Sequence, residues 1–478
     1  MDAMLWSTVF STLIYVIYLA VVITTIFIVI LDNRNPVKTM AWILILFFLP
    51  VVGLLFYIFF GKSRRKERLI SRKGYARLTK RPMEAYQSQA ALKEGIEGKR
   101  LAIFFNKVNG ALTFGGNGVE FYTNGYAMLQ SLLREIAHAR HFIHLEYYIF
   151  EDDPVGRLLR DALIDKAHEG VKIRVLYDDV GCWKVDHAFY EQMLCEGIEV
   201  QSFLKVRFPQ FTSKINYRNH RKLTIIDGNV GFIGGMNIAE RYVKGVSWGI
   251  WRDTQVKISG KAVYGLQTAF LTDWYAVDRS LITSAEYFPK ITEAKGEAIA
   301  QIVMSDPIGE WRDIMQGIMM ALCRAQRYFY IQSPYFLPTE QVKTALQTAA
   351  LAGIDVRLML PKRADTWLIH KASLSYLDEM MQAGVKIYLY RKGFLHAKMM
   401  VSDDELSTVG STNMDFRSFE HNFEANAFFY DKNTALTLKN IFLEDQKSCL
   451  LLSPKIWNKR SWKNKVIESV VRLLAPLL

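Results

Sequence analysis

Two long uncharged stretches open the chain. Residues 3–31 contain no charged side chain, and residues 41–60 form a second uncharged run that includes Pro50 and Gly53. A helix of about 20 apolar residues crosses a bilayer, so each run is long enough to span it, the first with some tilt. A cleaved signal peptide has a shorter apolar core, followed by a small-residue cleavage site. The pattern therefore predicts a hairpin of two transmembrane helices within residues 1–61.

Beyond residue 110 the pattern changes to alternating strand-like and helix-like segments, which is typical of α/β folds. The same order of elements occurs twice. The predicted pairs are strands 141–150 and 328–336, helices 156–169 and 339–352, and strands 170–176 and 353–359. The sequence thus predicts two duplicated α/β lobes, each a mixed sheet flanked by helices. We assign them to residues 111–300 and 301–478, after a basic linker at 62–110.

One motif, with the spacing His-x-Lys-x4-Asp-x6-Gly-x-x-Asn, occurs in each predicted lobe. The copies contain His220, Lys222, Asp227, Gly234 and Asn237, and His396, Lys398, Asp403, Gly410 and Asn413. Five residue types at fixed offsets are expected by chance about once in 10⁷ starting positions, so two copies indicate a duplication. Side chains two apart in a strand share a face, so each His–Lys pair should lie on one face of a hairpin strand. We expect the lobes to pack with their motifs facing each other.

These motifs carry the groups that phosphoryl transfer requires. A neutral imidazole can attack phosphorus and form a phosphohistidine, while a second, protonated imidazole donates to the leaving oxygen. The lysines can neutralise the non-bridging oxygens, to which the asparagines can also donate, so no metal or other cofactor is demanded. The candidate catalytic residues are His220, Lys222, Asp227, His396, Lys398 and Asp403, with Asn237 and Asn413 as phosphate-binding residues. The motif aspartates lie at the hairpin turns and can orient the chain rather than touch substrate.

Basic residues are concentrated beside the second apolar run. Ten lysines and arginines lie between Lys62 and Arg81 against one acid, Glu67, in a chain of net charge +13. The positive-inside rule therefore predicts that residues from 61 onward are cytoplasmic and that the loop at 32–40 is outside. The cluster can also attract anionic headgroups. Nucleic acid, which basic proteins often bind, is disfavoured because the excess charge lies next to the membrane.

The four cysteines, at positions 182, 195, 323 and 449, are scattered along the chain. They form no C-x-x-C pair, and a reducing cytoplasm disfavours disulfides. We expect structural thiols rather than a disulfide framework or a zinc site.

The C-terminal segment has helical periodicity. Trp462, Val466, Val470 and Leu474 recur every four residues, with basic residues between them. Such a basic amphipathic helix can lie at a membrane interface or pack on a lobe as an ordinary terminal helix. The sequence leaves both possibilities open.

The duplicated motif resembles that of the phospholipase D superfamily. Further segments resemble bacterial cardiolipin synthases, namely 35–42, 60–62, 219–222, 251–254, 415–420 and 473–478. The resemblance covers nearly the whole chain. One difference is Gly235, where the family motif often has the serine that Ser411 provides in the second copy.

The resemblance implies that two phosphatidylglycerol molecules are converted to cardiolipin and glycerol through a phosphatidyl-histidine intermediate. It implies that His220 is the nucleophile and His396 the general acid and base. The two motifs alone do not distinguish these roles, because they have the same residues at the same spacing. Glu424 is expected to orient a catalytic imidazole. The implied partners are phosphatidylglycerol and other anionic membrane lipids, and the implied location is the bacterial plasma membrane with cytoplasmic lobes.

Three other classes of protein are less favoured. A hydrolytic phospholipase D would use the same site with water as acceptor, but the two spans and the resemblance favour a transferase. A nuclease would need basic residues around the active-site groove, whereas most of the excess charge lies at 62–81. A non-catalytic membrane scaffold would not need two intact motifs. The acceptor, the acyl-chain preference and the oligomeric state are not determined by the sequence.

Overall fold

The computed structural model describes residues 2–31, 36–57, 100–206 and 217–475. The helices before residue 58 belong to one compact unit, and the described residues from 100 onward, apart from Val206, belong to another. Three parts of the sequence lie outside the described residues: a stretch that includes the basic residues 62–81, positions 207–216 of the first predicted lobe, and the last three residues.

The first unit consists, in its described part, of the helices α1 (Asp2–Leu31), α2 (Pro36–Phe48) and α3 (Pro50–Phe56). Within α1, Thr8–Leu31 is long and apolar enough to cross a membrane. The second predicted span is divided into two shorter helices, so the structure has one long apolar helix rather than a hairpin of two. Pro50 lacks an N–H and disfavours a helical conformation in the residue before it, and Leu49 accordingly has φ −131° and ψ 62°.

The second unit alternates helices with strands. Its helices are α4 (Arg100–Asn109), α5 (Gly125–His138), α6 (Pro154–His168), α7 (His187–Cys195), α8 (Glu240–Lys244), α9 (Val263–Asp278), α10 (Asp313–Arg324), α11 (Glu340–Leu351), α12 (Trp367–Leu374), α13 (Leu377–Gln382), α14 (Phe416–Glu420), α15 (Lys432–Gln446), α16 (Pro454–Asn458) and α17 (Trp462–Arg472). Helix α6 begins after Asp153, whose carboxylate accepts from the free N–H groups of the first turn, and α15 begins in the same way after Asp431. The helices predicted at 156–169 and 339–352 are confirmed as α6 and α11.

The strands are β1 (Thr113–Tyr122), β2 (Phe142–Tyr147), β3 (Lys172–Asp178), β4 (Glu199–Phe203), β5 (Arg218–Asn219), β6 (Lys222–Ile226), β7 (Val230–Gly234), β8 (Ile250–Arg252), β9 (Gln255–Ser259), β10 (Ala298–Ser305), β11 (Tyr328–Gln332), β12 (Phe336–Leu337), β13 (Asp355–Pro361), β14 (Lys386–Tyr390), β15 (Gly393–Leu395), β16 (Met399–Ser402), β17 (Leu406–Gly410), β18 (Met414–Asp415), β19 (Asn422–Phe429) and β20 (Cys449–Leu451). Sixteen of them form one sheet in the order β20-β14-β13-β11-β16-β17-β19-β10-β1-β9-β7-β6-β2-β3-β4, with β5 attached to β19.

The strand order repeats about a central antiparallel pair, β1 with β10. Moving outward from this pair, β9, β7, β6, β2, β3 and β4 of the first half match β19, β17, β16, β11, β13 and β14 of the second. Three neighbouring strands of each half are parallel, β2-β3-β4 in the first and β11-β13-β14 in the second. The inner strands and the edge strand β20 are antiparallel to their neighbours, which gives the predicted mixed sheet. The sheet continues across positions 300 and 301, and the proposed limits of the two lobes stay a prediction.

Helix α9 packs on the sheet of the first half. Nearly every residue from Val263 to Trp274 is buried, as expected for a helix enclosed on all sides by the core. Its polar residue Asp273 is among the buried ones and pairs with Arg221 of the first motif. The core is therefore continuous with the polar cluster at the end of the strands.

Each motif lies on a hairpin, as predicted: β6 with β7, and β16 with β17. The turns contain left-handed residues, Asp227 (φ 49°) with Gly228 (φ 67°) and Asp403 (φ 56°) with Asp404 (φ 60°). Glycine and aspartate tolerate this conformation better than most residues do. Because β6 and β16 run antiparallel to β2 and β11, each His–Lys pair lies at the carboxyl ends of the parallel strands, where α/β proteins bind ligands.

Candidate active site

Each motif histidine is attached to the opposite half of the molecule. The short strand β5, just before His220, pairs with β19, and the backbone N–H of His220 donates to the carbonyl oxygen of Phe423 at 2.9 Å. In the other half β15 pairs with β8, and the N–H of His396 donates to the carbonyl oxygen of Arg252 at 2.7 Å. The two attachments are equivalent, because in each the acceptor is the residue before a buried carboxylate.

Those carboxylates bind the imidazoles. Nδ1 of His220 lies 3.0 and 3.1 Å from the two carboxylate oxygens of Glu424. Nδ1 of His396 lies 2.6 Å from Oδ2 of Asp253. An ionised carboxylate only accepts, so Nδ1 carries the hydrogen in both rings and Nε2 keeps its lone pair. Each repeat therefore supplies the histidine of one pair and the carboxylate of the other.

Space explains the glycine in the first motif. A Cβ on Gly235 would lie 2.1 Å from an oxygen of Asp253, so a serine there would collide with the carboxylate. In the second motif Ser411 Oγ donates to the Glu424 carboxylate. Asp253 instead accepts from the backbone N–H of Thr254 at 2.7 Å. The difference between the motifs follows from the position of the carboxylate that each one faces.

The motif lysines lie beside the histidines. Nζ of Lys222 donates to the carbonyl oxygen of His220 at 2.5 Å, and Nζ of Lys398 donates to that of His396 at the same distance. Nζ of Lys398 also lies 2.8 Å from Nδ1 and 3.0 Å from Nε2 of His396. Both lysines are almost fully buried, so each motif holds its lysine against its histidine.

Aromatic side chains surround the cluster unequally. Around His396 lie the rings of Trp251, Tyr242 and Phe394, with centroids 5.3, 6.0 and 5.7 Å away. Around His220 the described residues include Tyr148, at 5.0 Å. These rings lower the local polarity, so charges in the cluster interact more strongly than they would in water.

Burial controls the protonation of the histidines. It lowers the pKa of His220 to about 4 and that of His396 to about 3, although Glu424 and Asp253 act in the opposite direction. The lysine of the other motif adds to the lowering in each case, so the two motifs lie within electrostatic range of each other. Both imidazoles are therefore neutral at pH 7.

The other charged members of the cluster are also shifted. Burial lowers the pKa of Lys398 to about 8 and that of Lys222 well below its usual value. Burial raises the pKa of the Asp253 and Glu424 carboxyls, but the neighbouring cations and imidazoles more than offset this and hold both below their usual range. An anionic phosphate bound between the lysines would offset their charge and favour protonation of an imidazole.

Buried arginines hold the two carboxylate segments. Nε of Arg221 donates to the carbonyl oxygen of Glu424 at 3.1 Å, and its guanidinium pairs with Asp273 on α9. Arg252, directly before Asp253, pairs with Asp445 on α15 at 2.7 Å. Removing one partner of such a buried pair typically costs about 3–5 kcal/mol, so these contacts fix the backbone from which the carboxylates extend.

Two family models match this chain. Residues 132–274 and 318–446, one segment in each repeat, match the model described as "Cardiolipin synthase, PLD-like domain". Residues 16–62 match the model described as "Phospholipase D-nuclease N-terminal". The chain is 40% identical to a cardiolipin synthase of Geobacillus sp. (strain WCH70), over 95% of this chain and 91% of the relative.

The chain belongs to the cardiolipin synthase family. It is also 39% identical to a protein named cardiolipin synthase 2 of Bacillus anthracis, over 94% of this chain and 89% of that one. The fold is similar to that of a phosphatidylserine synthase from Haemophilus influenzae Rd KW20, with a TM-score of 0.59 at 14% identity, over 80% of this chain and 98% of the other. The resemblance predicted from the motifs is confirmed.

The motif aspartates of this cardiolipin synthase family member are not brought into the cluster. The Asp227 carboxylate accepts from the backbone N–H groups of Arg140, His141 and Phe142, at 2.8 to 2.9 Å. Asp403 binds Gln326, Arg327 and Tyr328 in the same way. Each lies five residues beyond its lysine, about 16 Å along a strand. These contacts support the orienting role, because each aspartate fastens a hairpin turn to the start of a parallel strand. A direct catalytic role for either aspartate stays a prediction.

The two motif asparagines are buried, but their contacts differ. Asn237 accepts from the N–H of Ile149 at 3.1 Å and donates to the hydroxyl of Tyr242, beside His396. The side-chain oxygen of Asn413 is buried and has no hydrogen-bond partner among the described residues. Phosphate binding by both asparagines stays a prediction.

Asp253 is the site residue that sequence reasoning missed. It belongs to the segment 251–254, which contributed to the family resemblance, but no role was assigned to it. Asp253 lies 33 positions after His220, the histidine of its own repeat, whereas Glu424 lies 28 positions after His396. A search for equal spacing in the two repeats therefore misses Asp253. The strand pairings identify it, because β9 takes the place of β19 in the sheet and β8 pairs with β15 as the start of β19 pairs with β5. Glu424, by contrast, lies where its predicted role requires.

We predict that His396→Asn weakens the acid sensitivity of the fold. The pKa of His396 in the folded state lies below the unfolded value of about 6.5. Below pH 6.5 the unfolded chain therefore binds a proton that the folded protein does not, and the free energy of unfolding falls as the pH is lowered toward the folded-state pKa. For a shift of this size, the loss at pH 5 is about 2 kcal/mol. Thermal unfolding of purified protein from pH 7 to pH 5 should give a smaller fall in Tm for the variant than for the wild type. His187→Asn, at an exposed histidine of α7, is the control, and equal falls in all three proteins would contradict the prediction.

Proposed function

We propose that this protein is a cardiolipin synthase, which transfers the phosphatidyl group of one phosphatidylglycerol to another and releases glycerol. One observation carries the proposal: two imidazole–carboxylate pairs, exchanged between the repeats, meet two buried lysines in a chain of the cardiolipin synthase family. This arrangement offers a nucleophile, a proton donor and two cations for one phosphodiester.

In the first step, Nε2 of His220 attacks phosphorus while Glu424 holds Nδ1–H. The bond from phosphorus to the headgroup glycerol oxygen breaks, and that oxygen takes a proton from Nε2–H of His396. Lys222 and Lys398 balance the charge of the non-bridging oxygens. The lipid anion brought between the lysines favours the protonated form of His396 that this step needs.

In the second step, the hydroxyl of another phosphatidylglycerol gives its proton to His396. Its oxygen bonds to phosphorus, the bond to His220 breaks, and cardiolipin leaves. One phosphodiester replaces another, so the exchange is close to isoenergetic. The aromatic walls and the nearby membrane favour a lipid hydroxyl over water as acceptor.

The membrane attachment fits this chemistry. We propose that α1 crosses the membrane once and that α2 and α3 together cross it again, since residues 36–56 would extend about 30 Å as a helix. Val29, Leu46 and Tyr57 share a small core within this unit, which supports a packed pair of spans. The proposed topology has cytoplasmic lobes, because basic residues follow the second run.

A fusion experiment tests the topology. A reporter fused after residue 61 should be active only in the cytoplasm, and a cysteine placed in the loop 32–40 should react with an impermeant reagent added outside. A reporter on the outer side would overturn the proposed location of the lobes.

The histidines should fail in different ways. His220→Ala should abolish both turnover and the covalent phosphoenzyme, because no nucleophile remains. His396→Ala should lose turnover but still accumulate intermediate from a lipid with a better leaving group, which needs no proton donor. Radiolabelled phosphatidylglycerol and an analogue with a good leaving group would distinguish them. A trapped intermediate in His220→Ala alone would reverse the roles.

The orienting carboxylates should affect turnover more than binding. Asp253→Asn and Glu424→Gln present an amide to Nδ1, which permits the wrong tautomer, so each should lower kcat by roughly 10²–10⁴ with little change in KM. Asp161→Asn, on the exposed surface of α6, is the matched control. Near wild-type kcat for Asp253→Asn would remove Asp253 from the mechanism.

Glycerol separates the synthase from a hydrolytic phospholipase D. Purified protein given phosphatidylglycerol alone should release glycerol and accumulate cardiolipin, and added glycerol should lower the cardiolipin yield because the exchange is reversible. Thin-layer or mass-spectrometric analysis of the lipids measures both. If phosphatidic acid is the product and glycerol has no effect on the yield, the protein is a hydrolase instead.

A further inference from the structure

The C-terminal helix α17 turns its apolar side away from the protein. Trp462, Val466, Val470 and Leu473 are 70%, 50%, 57% and 79% exposed. At 100° per residue these four residues fall on one side of the helix and form an apolar stripe. An ordinary surface helix buries its apolar stripe against its own domain. Here the stripe faces outward.

Polar and small residues hold α17 in place instead. Asn464, Glu468, Val471 and Ala475 lie on the side opposite the stripe, and the last three are buried. Asn464 accepts from Nζ of Lys371 on α12 at 3.2 Å, and Glu468 pairs with Arg460 at 2.5 Å.

The end of the helix is fastened in the same way. Arg472 pairs with Glu379 and lies over the ring of Tyr376, 4.2 Å from its centroid. These contacts require a defined orientation, so the outward direction of the stripe is built into the fold.

We propose that the exposed stripe of α17 inserts at the headgroup boundary of an anionic membrane and gives the catalytic unit its own membrane contact. Lys459, Lys463 and Lys465 are exposed on and beside the helix, where they can bind anionic headgroups while the apolar side chains enter the bilayer. Trp462 has the apolar body and polar N–H that suit this boundary.

A chain of contacts links α17 to the His396 side of the site. Helix α12, against which α17 packs, begins at the exposed Trp367, two residues after Asp365. Asp365 accepts from the hydroxyl of Tyr335 at 2.8 Å, and the Tyr335 ring lies 6.4 Å from that of Phe394, which borders His396.

The direction of α17 agrees with this placement. Asn464 contacts α12, whereas Arg472 contacts Glu379 on the later helix α13. The Trp462 end is therefore the end nearer the site. Docking of this end would bring the His396 side of the site toward the bilayer, a consequence that rests on the proposed function.

A bilayer fits the stripe better than a second copy of the chain does. In a two-fold dimer the same patch meets itself. The lysines that flank the stripe would then approach the lysines of the other copy, which is unfavourable, whereas an anionic surface complements them.

A depth measurement on the full-length protein tests the docking. The exposed Cys195 and Cys323 are replaced by serine, Val470→Cys is labelled with bimane, and the protein is reconstituted in phosphatidylglycerol-containing vesicles with nitroxide lipids. Leu351→Cys is the matched control, because Leu351 is 72% exposed at the end of α11, just before the amino end of β13, whereas the motif residues lie at the carboxyl ends of the parallel strands. The unsubstituted background gives the labelling of the remaining thiols.

We expect the nitroxide lipids to quench the label at 470 at least about threefold more than the label at 351. Equal quenching would overturn the proposal. Nanodiscs that hold one protein copy exclude dimerisation: quenching that persists there supports the bilayer, and quenching that appears there but not in vesicles means that a second copy covers the stripe.

An activity measurement separates docking from folding. One variant combines Trp462→Ser, Val466→Ser, Val470→Ser and Leu473→Ser. It should make cardiolipin at least about fivefold more slowly than wild type on vesicles with sparse phosphatidylglycerol, but at the wild-type rate in mixed micelles. Leu351→Ser should match wild type in both. Equal losses in vesicles and micelles would assign α17 a purely structural role. If wild type makes no cardiolipin in micelles the proposed function fails, while the quenching result stands independently.

Discussion

The exchange of carboxylates between the repeats is the interaction on which the site depends. His220 is held by Glu424, and His396 by Asp253, so neither repeat contains a complete pair. The backbone follows the same exchange, through β5 with β19 and β15 with β8. A buried imidazole without its carboxylate would lose its tautomer and orientation. The duplicated lobes are therefore required together, and the central β1–β10 pair that joins them is part of what forms the site.

The same exchange makes it possible to bury two lysines. An isolated ammonium in the interior would lose its proton or destabilise the fold. Here Lys222 and Lys398 are each within electrostatic range of Glu424 and Asp253, which favour their charged forms. The cluster holds two lysines and two carboxylates together with two neutral imidazoles. A phosphodiester adds one negative charge to this arrangement, so protonation of one histidine restores the balance.

Local sequence patterns predicted most of the fold, whereas they did not predict which residues contact each other between the repeats. The motif hairpins and the order of elements along the chain follow from alternation and from residues such as Gly228 at the turns. The role of Asp253 depends on how the halves pair, which no local pattern encodes. The second span was predicted from apolar length, yet Pro50 divides it, because a missing N–H outweighs hydrophobicity at that position. The spacing of apolar residues predicted the amphipathic helix α17, but its ion pairs decide which side of the helix packs on the protein.

The two pairs are similar but not equivalent, and their surroundings support different roles for the histidines. Glu424 also accepts from Ser411 and from Asn422 at 3.1 Å, so its charge is shared among several donors. The contact of Asp253 with His396 is shorter, at 2.6 Å, which favours an imidazolium there. Yet His396 has the lower pKa, and after burial the largest cause is Lys398, 3.0 Å from its Nε2. A phosphate that draws the Lys398 ammonium toward its oxygens would remove that opposition and leave Asp253 to stabilise the proton. Binding of the lipid anion would then prepare His396 as the acid, while His220, facing the more shared carboxylate, stays neutral and nucleophilic.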